Sequence, residues 1–159
     1  MRRKETAMTA EKEIAHLINQ LYTVETLMKV FHRDPHSYCG VTLYDCEAHT
    51  LEKIAENEGL SQAQLTRMTF RTKGATSVMV DKLIQKGLVY RDRSEKDRRQ
   101  CLLRLTEKGR EVDRQHQERD LRHARLVAEQ AGLTGEELAQ ANQVLDRLVE
   151  FYSTLEPSE

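Results

Sequence analysis

Residues 72–106 read TKGATSVMVDKLIQKGLVYRDRSEKDRRQCLLRLT, and the spacing of their apolar positions changes partway along. Up to Gly87 the apolar residues recur at helical spacing, with Thr72 placed to cap a helix and Lys86-Gly87 placed to end it. After Gly87 the pattern alternates as in two strands, which are separated by the polar and charged residues 94–100. The stretch therefore predicts a helix followed by a β-hairpin with a charged tip.

A second, shorter helix is predicted just before this one. Ser61 and Gln64 have the spacing of a capping box, which favours a helix from there through about Met68, joined by a turn to the helix at Thr72. The buried face of the longer helix is assigned from its apolar positions, Ala75, Val78, Met79, Leu83 and Ile84. Val80 is left for another face.

Long helices are predicted on both sides of this pair. One covers residues 9–33 and ends before Pro35, a second runs from about Asp45 to Asn57, a third covers 107–131 and a last one follows Thr134; residues 35–43 form a connection. The first and last helices carry apolar seams with steps of three and four: Ile14, Leu17, Leu21, Val24, Met28 and Phe31, then Leu138, Ala141, Leu145, Leu148, Tyr152 and Leu155. We interpret the seams as pairing with a second copy; the alternative is that they pack on each other within one chain.

These patterns predict a mainly α fold with a small β-hairpin, a winged helix-turn-helix with N- and C-terminal dimerisation helices. Residues 1–42 would form the N-terminal dimerisation helix and connection. Residues 43–110 would form the winged helix-turn-helix DNA-binding domain, and residues 111–159 the C-terminal linker and dimerisation helices.

Charge is distributed unevenly along the chain. The net charge of −1 conceals 13 basic and 5 acidic residues in 61–110, which carry +8, while the remainder carries −9. A local basic excess of this size is typical of a surface that contacts phosphates, although an ordinary solvated face is the plain alternative. No stretch approaches the roughly 18 apolar residues of a membrane span, and the three cysteines show no CxxC spacing. We expect a cytoplasmic protein with reduced thiols and no membrane partner.

DNA contacts are expected from two places. The N-terminal end of the second helix of a helix-turn-helix meets base edges in the major groove, and a basic hairpin tip reaches the backbone or the minor groove, with Arg98 or Arg99 as the minor-groove contact. The candidate DNA-binding residues are Ser61, Gln62, Thr72, Lys73, Gly74, Thr76, Ser77, Lys82, Arg93, Lys96, Asp97, Arg98 and Arg99.

At these residues the chain resembles the MarR-type multiple-antibiotic-resistance regulators. The motifs are Gly59-Leu60-Ser61-Gln62 with Leu65, Thr72-Lys73-Gly74-Ala75-Thr76-Ser77, Lys82-Leu83-Ile84-Gln85-Lys86-Gly87-Leu88-Val89, and Asp92-Arg93-Ser94-Glu95-Lys96-Asp97-Arg98-Arg99 followed by Leu103-Arg104-Leu105-Thr106-Glu107-Lys108-Gly109. The resemblance implies a homodimer joined by its terminal helices, a recognition helix at 72–86 and a repressor controlled by a ligand or by oxidation. It also implies that Asp97 braces the wing and Arg99 contacts DNA. The chain departs from the family where Thr69-Phe70 replaces a leucine-glycine turn.

The chain contains candidate sites for three kinds of regulatory signal, of which the first is a metal ion. His116 and Asp120 are spaced i,i+4, which brings two ligands to one ion. His49, His116 and Asp120 resemble positions used by zinc-responsive members of the family, and Glu25 or Glu47 would complete the set. Zinc or another divalent metal is thus a candidate cofactor, against the simpler interpretation of solvated or salt-bridged histidines. His32 and His36 are HxxxH-spaced, but Pro35 interrupts the helix, so they are interpreted as loop residues that do not converge.

The second and third inputs are an oxidant and a small molecule. Cys39 and Cys46, with Tyr38 or Tyr44 nearby, are candidates for a peroxide-sensing thiol site. A hydrophobic effector pocket is the third candidate, with core packing as the alternative role of its side chains, Tyr22, Val24, Met28 and Phe31.

The sequence favours a DNA-binding transcriptional regulator, a homodimeric repressor of the MarR type that an effector releases from a palindromic double-stranded DNA operator. The alternative from another class is a protein–protein adaptor that uses a winged helix. An enzyme is disfavoured, because the chain has no GxSxG, HExxH or glycine-rich phosphate loop.

Overall fold

The computed structural model describes residues 2–93 and 101–155, with the side chains of residues 9–92 and 101–155. Contacts divide the chain into two units, Met1–Gln115 and His116–Glu159. The elements in chain order are α1 (Arg2–Phe31), β1 (His36–Tyr38), β2 (Val41–Leu43), α2 (Asp45–Glu56), α3 (Gln62–Met68), α4 (Lys73–Gln85), β3 (Val89–Arg93), β4 (Cys101–Leu105), α5 (Glu107–Ala131) and α6 (Gly135–Ser153). The predicted mainly α fold with a β-hairpin is confirmed.

A single apolar core holds the first unit together. It draws side chains from α2, α3, α4, both hairpins and the beginning of α5: Tyr38, Val41, Leu43, Ala48, Leu51, Ile54, Leu60, Leu65, Val80, Leu83, Leu88, Val89, Leu103, Leu105 and Val112. Full burial of one such side chain stabilises the fold by about 1.5–3 kcal/mol relative to leaving it in water. The helix-turn-helix thus lies on a core to which α2, both hairpins and the start of α5 contribute.

The β3–β4 hairpin is joined to the helix-turn-helix by its backbone. The strands pair antiparallel from Val89 opposite Leu105 to Arg93 opposite Cys101. On its other edge β4 bonds the segment before α3, since the Leu103 amide donates to the Leu60 carbonyl at 2.8 Å and the Gly59 amide donates to the Leu103 carbonyl at 3.0 Å. The start of α3 and the base of the hairpin therefore form one rigid piece.

Residues 36–43, predicted as part of a connection, form a small hairpin instead. Tyr38 pairs with Val41, and the turn residues Cys39 and Gly40 have φ of 49° and 77°. Two positive φ values in a two-residue loop match the turn that suits the right-handed twist of paired strands. Tyr38, Val41 and Leu43 are buried, so the core stabilises strands of only three residues.

The helix boundaries follow the predicted caps. Hydroxyls of Ser61, Thr72 and Thr134 each accept a hydrogen bond from the amide three residues later, at 3.2–3.3 Å. Gly59 and Gly87 follow the ends of α2 and α4 with φ of 86° and 72°, a conformation that glycine adopts without strain.

The predicted buried face of α4 is wrong in its rotation about the helix axis. Thr76, Val80 and Leu83 are buried, whereas Ala75 is exposed and Val78 is 58% exposed. The buried positions are spaced i, i+4 and i+7, as one helical face requires. The Thr76 hydroxyl donates to the Thr72 carbonyl at 3.0 Å, which satisfies the polar group and lets a threonine occupy a core position.

The second unit contains the later part of α5 and all of α6. Gly132, with φ of 65°, follows α5, and Thr134 caps α6. None of the α6 residues is buried, and several large apolar side chains are exposed: Leu138, Val144, Val149, Phe151 and Tyr152. Within the described residues, no helix combines the length and the apolar composition needed to cross a bilayer.

Candidate nucleic-acid interface

The turn between α3 and α4 contains a strained residue. Phe70 has φ of 51° and its side chain is 74% exposed. A left-handed conformation costs a residue with a Cβ about 1–2 kcal/mol, a cost that glycine avoids. The chain thus keeps the tight turn with a phenylalanine at its surface.

Helix α4 presents its N-terminal end and one polar face to solvent. Lys73, Gly74 and Lys82 are exposed, and Ser77 is half-buried. The exposed helix start combines the positive end of the helix dipole with the Lys73 ammonium, and both favour a negatively charged ligand. Val78 lies exposed on the same helix, where an apolar side chain can contact a thymine methyl group.

Exposed residues of α3 flank this face. Gln64 and Arg67 are exposed, while Gln62 is half-buried. Neither Arg67 nor Val78 was among the sequence candidates. Val78 was missed because α4 was assigned the wrong buried face; identifying Val80 as a core residue would have placed Val78 on the surface.

Arg91 links the hairpin to both helices of the motif. Its guanidinium donates to the Asp81 carboxylate at 2.8 Å and to the Gln62 side-chain oxygen at 3.4 Å. The Arg91 and Asp81 side chains are partly exposed, so the ion pair adds little stability. Through its two hydrogen bonds, however, Arg91 connects Gln62 of α3 to Asp81 of α4. On the hairpin itself, Arg104 pairs with Asp92 at 2.8 Å.

Helix α5 approaches the base of the hairpin very closely at Gly109. A Cβ built on Gly109 would lie 2.1 Å from the Leu88 carbonyl oxygen. The Thr106 hydroxyl accepts from the Gly109 amide at 2.9 Å and donates to the Gly87 carbonyl at 2.7 Å. Only glycine permits this approach, which fixes the start of α5 against the end of α4.

Two ion pairs anchor the supporting elements. Lys86, at the end of α4, donates to the buried carboxylate of Glu47 at 2.7 Å and to the Thr42 carbonyl at 2.8 Å. Arg110 donates to Glu58 at 2.6 Å, and this hydrogen bond is the main cause that lowers the pKa of Glu58 below its ordinary value. Helices α2, α4 and α5 are thereby held to their neighbours by charged groups as well as by the core.

The structure places the sequence candidates for DNA contact in different settings. Thr72 and Ser61 use their hydroxyls as helix caps, and Lys73, Gly74 and Lys82 are exposed. Thr76 is 1% exposed and bonded to its own helix, so the expectation that it contacts DNA does not fit its position. Arg93 belongs to β3, but its side chain lies outside the described residues, as do Lys96, Asp97, Arg98 and Arg99.

A cleft of about 630 Å³ opens in the first unit between α1 and the start of α2. Val24 and Met28 line it together with Cys46, His49 and Arg71. Val24 and Met28 were both expected at an effector pocket. The other two expected residues, Tyr22 and Phe31, are exposed on α1 and do not line this cleft.

The candidate metal ligands are distributed over both units. His49 Nδ1 lies 3.4 Å from a Glu52 carboxylate oxygen. Glu25 pairs with Lys29 at 2.6 Å, and Glu47 pairs with Lys86. In the second unit, His116 Nε2 lies 3.5 Å from an Asp120 carboxylate oxygen. Both glutamates that were expected to complete a ligand set are therefore engaged with lysines.

The cysteines Cys39, Cys46 and Cys101 are exposed free thiols. The Cys39 thiol lies 3.6 Å from the Glu111 carboxylate, to which it donates. Desolvation, followed by the charge of Glu111 and this hydrogen bond, raises the pKa of Cys39. A raised pKa lowers the thiolate fraction, which is the reactive form, so the environment of Cys39 disfavours peroxide sensing.

One convergence was missed from the sequence. His32 and His36 were interpreted as loop residues that do not meet, but both imidazoles lie beside the carboxylate of Asp45. Pro35 does end the helical conformation after α1, as predicted; β1 then brings His36 back to the start of α2. The signal was the HxxxH spacing, and the return of the chain could not be seen without the short hairpin.

Comparison with known proteins adds evolutionary evidence. The sequence profile of the MarR family matches residues 40–100. The transcriptional regulator BldR from Sulfolobus solfataricus is 31% identical, with a TM-score of 0.65, over 85% of this chain and 96% of that protein. No curated protein sequence is significantly similar to this chain.

Two solved structures that contain DNA are also similar. FabT from Streptococcus pneumoniae, in complex with DNA, is 25% identical with a TM-score of 0.61, over 94% of this chain and 99% of that chain. A mutant MarR from E. coli, in complex with operator DNA, is 28% identical with a TM-score of 0.57, over 67% of this chain and 75% of that chain.

Proposed function

Because this chain belongs to the MarR family of DNA-binding transcriptional regulators, we propose that it is a homodimeric repressor that binds a palindromic DNA operator and is released by an effector. In this proposal residues 43–110 bind DNA, residues 1–42 and 111–159 dimerise, and the chain regulates transcription without catalysing a reaction. The observation that carries the proposal is the exposed, cationic N-terminal end of α4, rigidly supported by the hairpin and by α5.

We assign the base-reading role to α4. Lys73 and the amides after Thr72 meet the phosphates or base edges, while Ser77, Val78 and Lys82 face the groove further along the helix. Arg67 of α3 contacts the backbone beside them. From the sequence resemblance, Arg99 contacts DNA at the wing and Asp97 braces it.

Dimerisation is supported by exposed apolar surface in each unit. In α1, Val24, Leu27 and Val30 are more than half exposed, and α6 leaves Val149 and Phe151 in the same state. Isolated soluble chains rarely expose such runs, and a two-fold partner covers them with equivalent residues. A dimer also presents two copies of α4, which read half-sites separated by about one helical turn of DNA.

The effector is proposed to occupy the cleft beside α1. A small molecule there touches α1 through Val24 and Met28 and touches the helix-turn-helix side through Arg71, whose guanidinium also bonds the Thr50 hydroxyl of α2 at 3.2 Å. Such a ligand shifts the relative stability of the conformations that these elements adopt, which is what release from an operator requires.

The test is a titration of the protein against its own upstream DNA and a scrambled duplex at several salt concentrations. We expect selective binding that weakens steeply with salt. In a plot of the logarithm of the binding constant against the logarithm of the salt concentration, each lost phosphate contact should make the slope shallower by about 0.9. Lys73→Ala and Arg99→Ala should weaken binding, whereas the matched control Lys12→Ala on α1 should not. Equal affinity for both duplexes would contradict the proposal.

A further inference from the structure

Three potential metal ligands from three elements converge at the end of α1. His32 follows the last residue of α1, His36 begins β1 and Asp45 begins α2. Their side chains are 22–29% exposed, so the cluster lies near the surface without being fully solvated. Each offers one ligand atom, and these atoms all lie within 4.8 Å of one another.

The distances between these groups are of the size found between ligand atoms around one metal ion. His32 Nδ1 lies 3.0 Å from Asp45 Oδ2, and His36 Nε2 lies 3.7 Å from Asp45 Oδ1. A tetrahedral zinc ion with bonds of about 2.0–2.1 Å separates its ligand atoms by about 3.4 Å. The two observed distances lie on either side of this value but run to different oxygens of the Asp45 carboxylate, so binding one ion requires a rearrangement of these side chains.

The Asp45 carboxylate provides a second, independent observation. Its Oδ1 atom is buried and accepts no hydrogen bond from any described residue. Buried polar oxygens ordinarily have a partner, and one without a partner calls for an explanation such as an ion. The unsatisfied oxygen faces His36, at a distance too long for a hydrogen bond.

We propose that His32, His36 and Asp45 bind a divalent transition-metal ion of the zinc, cobalt or nickel class. Two imidazole nitrogens and one carboxylate oxygen suit these ions better than magnesium or calcium, which prefer oxygen ligands. Three protein ligands leave a fourth position open, and because His32 and Asp45 also line the cleft beside α1, an exchangeable ligand reaches the ion from there.

This site differs from the set based on His49, His116 and Asp120, with which it shares no residue. Its ligands connect the end of α1, the first hairpin and the start of α2, so the ion crosslinks elements that the chain joins only through residues 32–44. The inference does not rest on DNA binding, and metal binding is measured directly.

The experiment uses the full-length protein, treated with a chelator and dialysed, and titrated with Co²⁺ while its visible absorption is recorded. We expect bands of four- or five-coordinate cobalt that saturate at one ion per chain and that Zn²⁺ abolishes. His32→Gln and His36→Gln should each weaken Co²⁺ binding at least tenfold, whereas His49→Gln and His123→Gln should leave it within twofold of the parent protein.

Circular dichroism checks that the variants fold, and nitrogen-resolved NMR of the imidazoles in the unmutated protein gives a measurement that needs no variant. Zinc should shift the ring nitrogens of His32 and His36 while those of His123 stay in place. Absence of the cobalt bands, their persistence in both His32→Gln and His36→Gln, or their loss in His49→Gln would overturn the proposal.

Discussion

In the first unit, one leucine from each of α2, α3, α4, β2 and β4 is 0–1% exposed, namely Leu51, Leu65, Leu83, Leu43 and Leu103. In contrast α6, a helix of 19 residues, buries no side chain. The sequences of α2 and α6 are similarly apolar and similarly periodic. What differs is the availability of neighbours, since the helix-turn-helix finds its partners within the chain. The core is thus complete within the first unit, whereas the apolar side chains of α6 stay exposed, and the proposed dimer would cover them.

The largest effect should come from truncating the self-sufficient core. Leu51→Ala removes a fully buried side chain from α2 and should lower the free energy of unfolding by about 2–5 kcal/mol, at every protein concentration. Val149→Ala on α6 is the matched surface change, and its effect should grow with protein concentration because the proposed dimer would bury Val149. Chemical denaturation at two concentrations measures both. A concentration-independent loss of equal size in both variants would contradict the comparison.

A second substitution tests how tightly α5 is held to the helix-turn-helix. Gly109→Ala places a methyl group against the Leu88 carbonyl, so backbone must move, and we expect a loss of about 1–3 kcal/mol in unfolding free energy. Gly135→Ala is the control, because a Cβ at Gly135 meets nothing within 4 Å. Thermal melts of the two variants distinguish these outcomes, and an unchanged midpoint for Gly109→Ala would show that the close approach does not exist in solution.

One acidic side chain, Asp113, is buried in the first unit, where its charged form is less stable than in water. Desolvation, together with the charges of Glu52 and Glu56, raises the pKa of Asp113 from 3.8 to about 6. The folded state therefore binds this proton more strongly than the unfolded state. The resulting stabilisation is fully present below about pH 4 and is lost as the pH rises through about 6.

Asp113→Asn should accordingly stabilise the protein at pH 8, by at most about 3 kcal/mol, and its advantage over the parent protein should shrink towards pH 4. Asp146→Asn, which changes an exposed carboxylate on α6, serves as the control. Unfolding midpoints measured across this pH range test the sign. A stabilisation by Asp113→Asn that stays constant with pH would show that the raised pKa of Asp113 is not its cause.

The smallest change in unfolding free energy is expected at the turn between α3 and α4. Phe70→Gly relieves a left-handed conformation, which favours the folded state, but glycine also gains flexibility in the unfolded chain, which opposes folding. The net result should be a rise of about 1 kcal/mol in the free energy of unfolding. Phe70→Ala removes the same aromatic ring but keeps the Cβ, so it should give no such gain. If both variants behave alike in denaturant titrations, the ring and not the backbone determines the effect.

Much of the fold could be predicted from local sequence. The caps at Ser61, Thr72 and Thr134 and the glycines after α2 and α4 act within one turn of helix, so the residues that determine each boundary are adjacent in the chain. The β3–β4 hairpin was similarly visible, because its strands alternate on either side of a charged tip.

Features that depend on distant neighbours could not be predicted. Thr76 is a core residue and Val78 a surface residue because of what packs on α4, which composition alone does not reveal. The β1–β2 hairpin forms because the core buries Tyr38 and Leu43, and only that hairpin brings His36 to Asp45. The candidate metal site was thus hidden by a tertiary contact, while the exposed lysines of α4 were already evident.

The central claim is that two copies of the chain, joined through surfaces such as α6, place two α4 helices on one operator. The most direct measurement is the mass of the complex with a duplex from its own upstream region, by light scattering coupled to size-exclusion chromatography. We predict two chains per duplex, and a complex that Phe151→Asp on α6 abolishes. One chain per duplex, or a complex that survives Phe151→Asp intact, would contradict it.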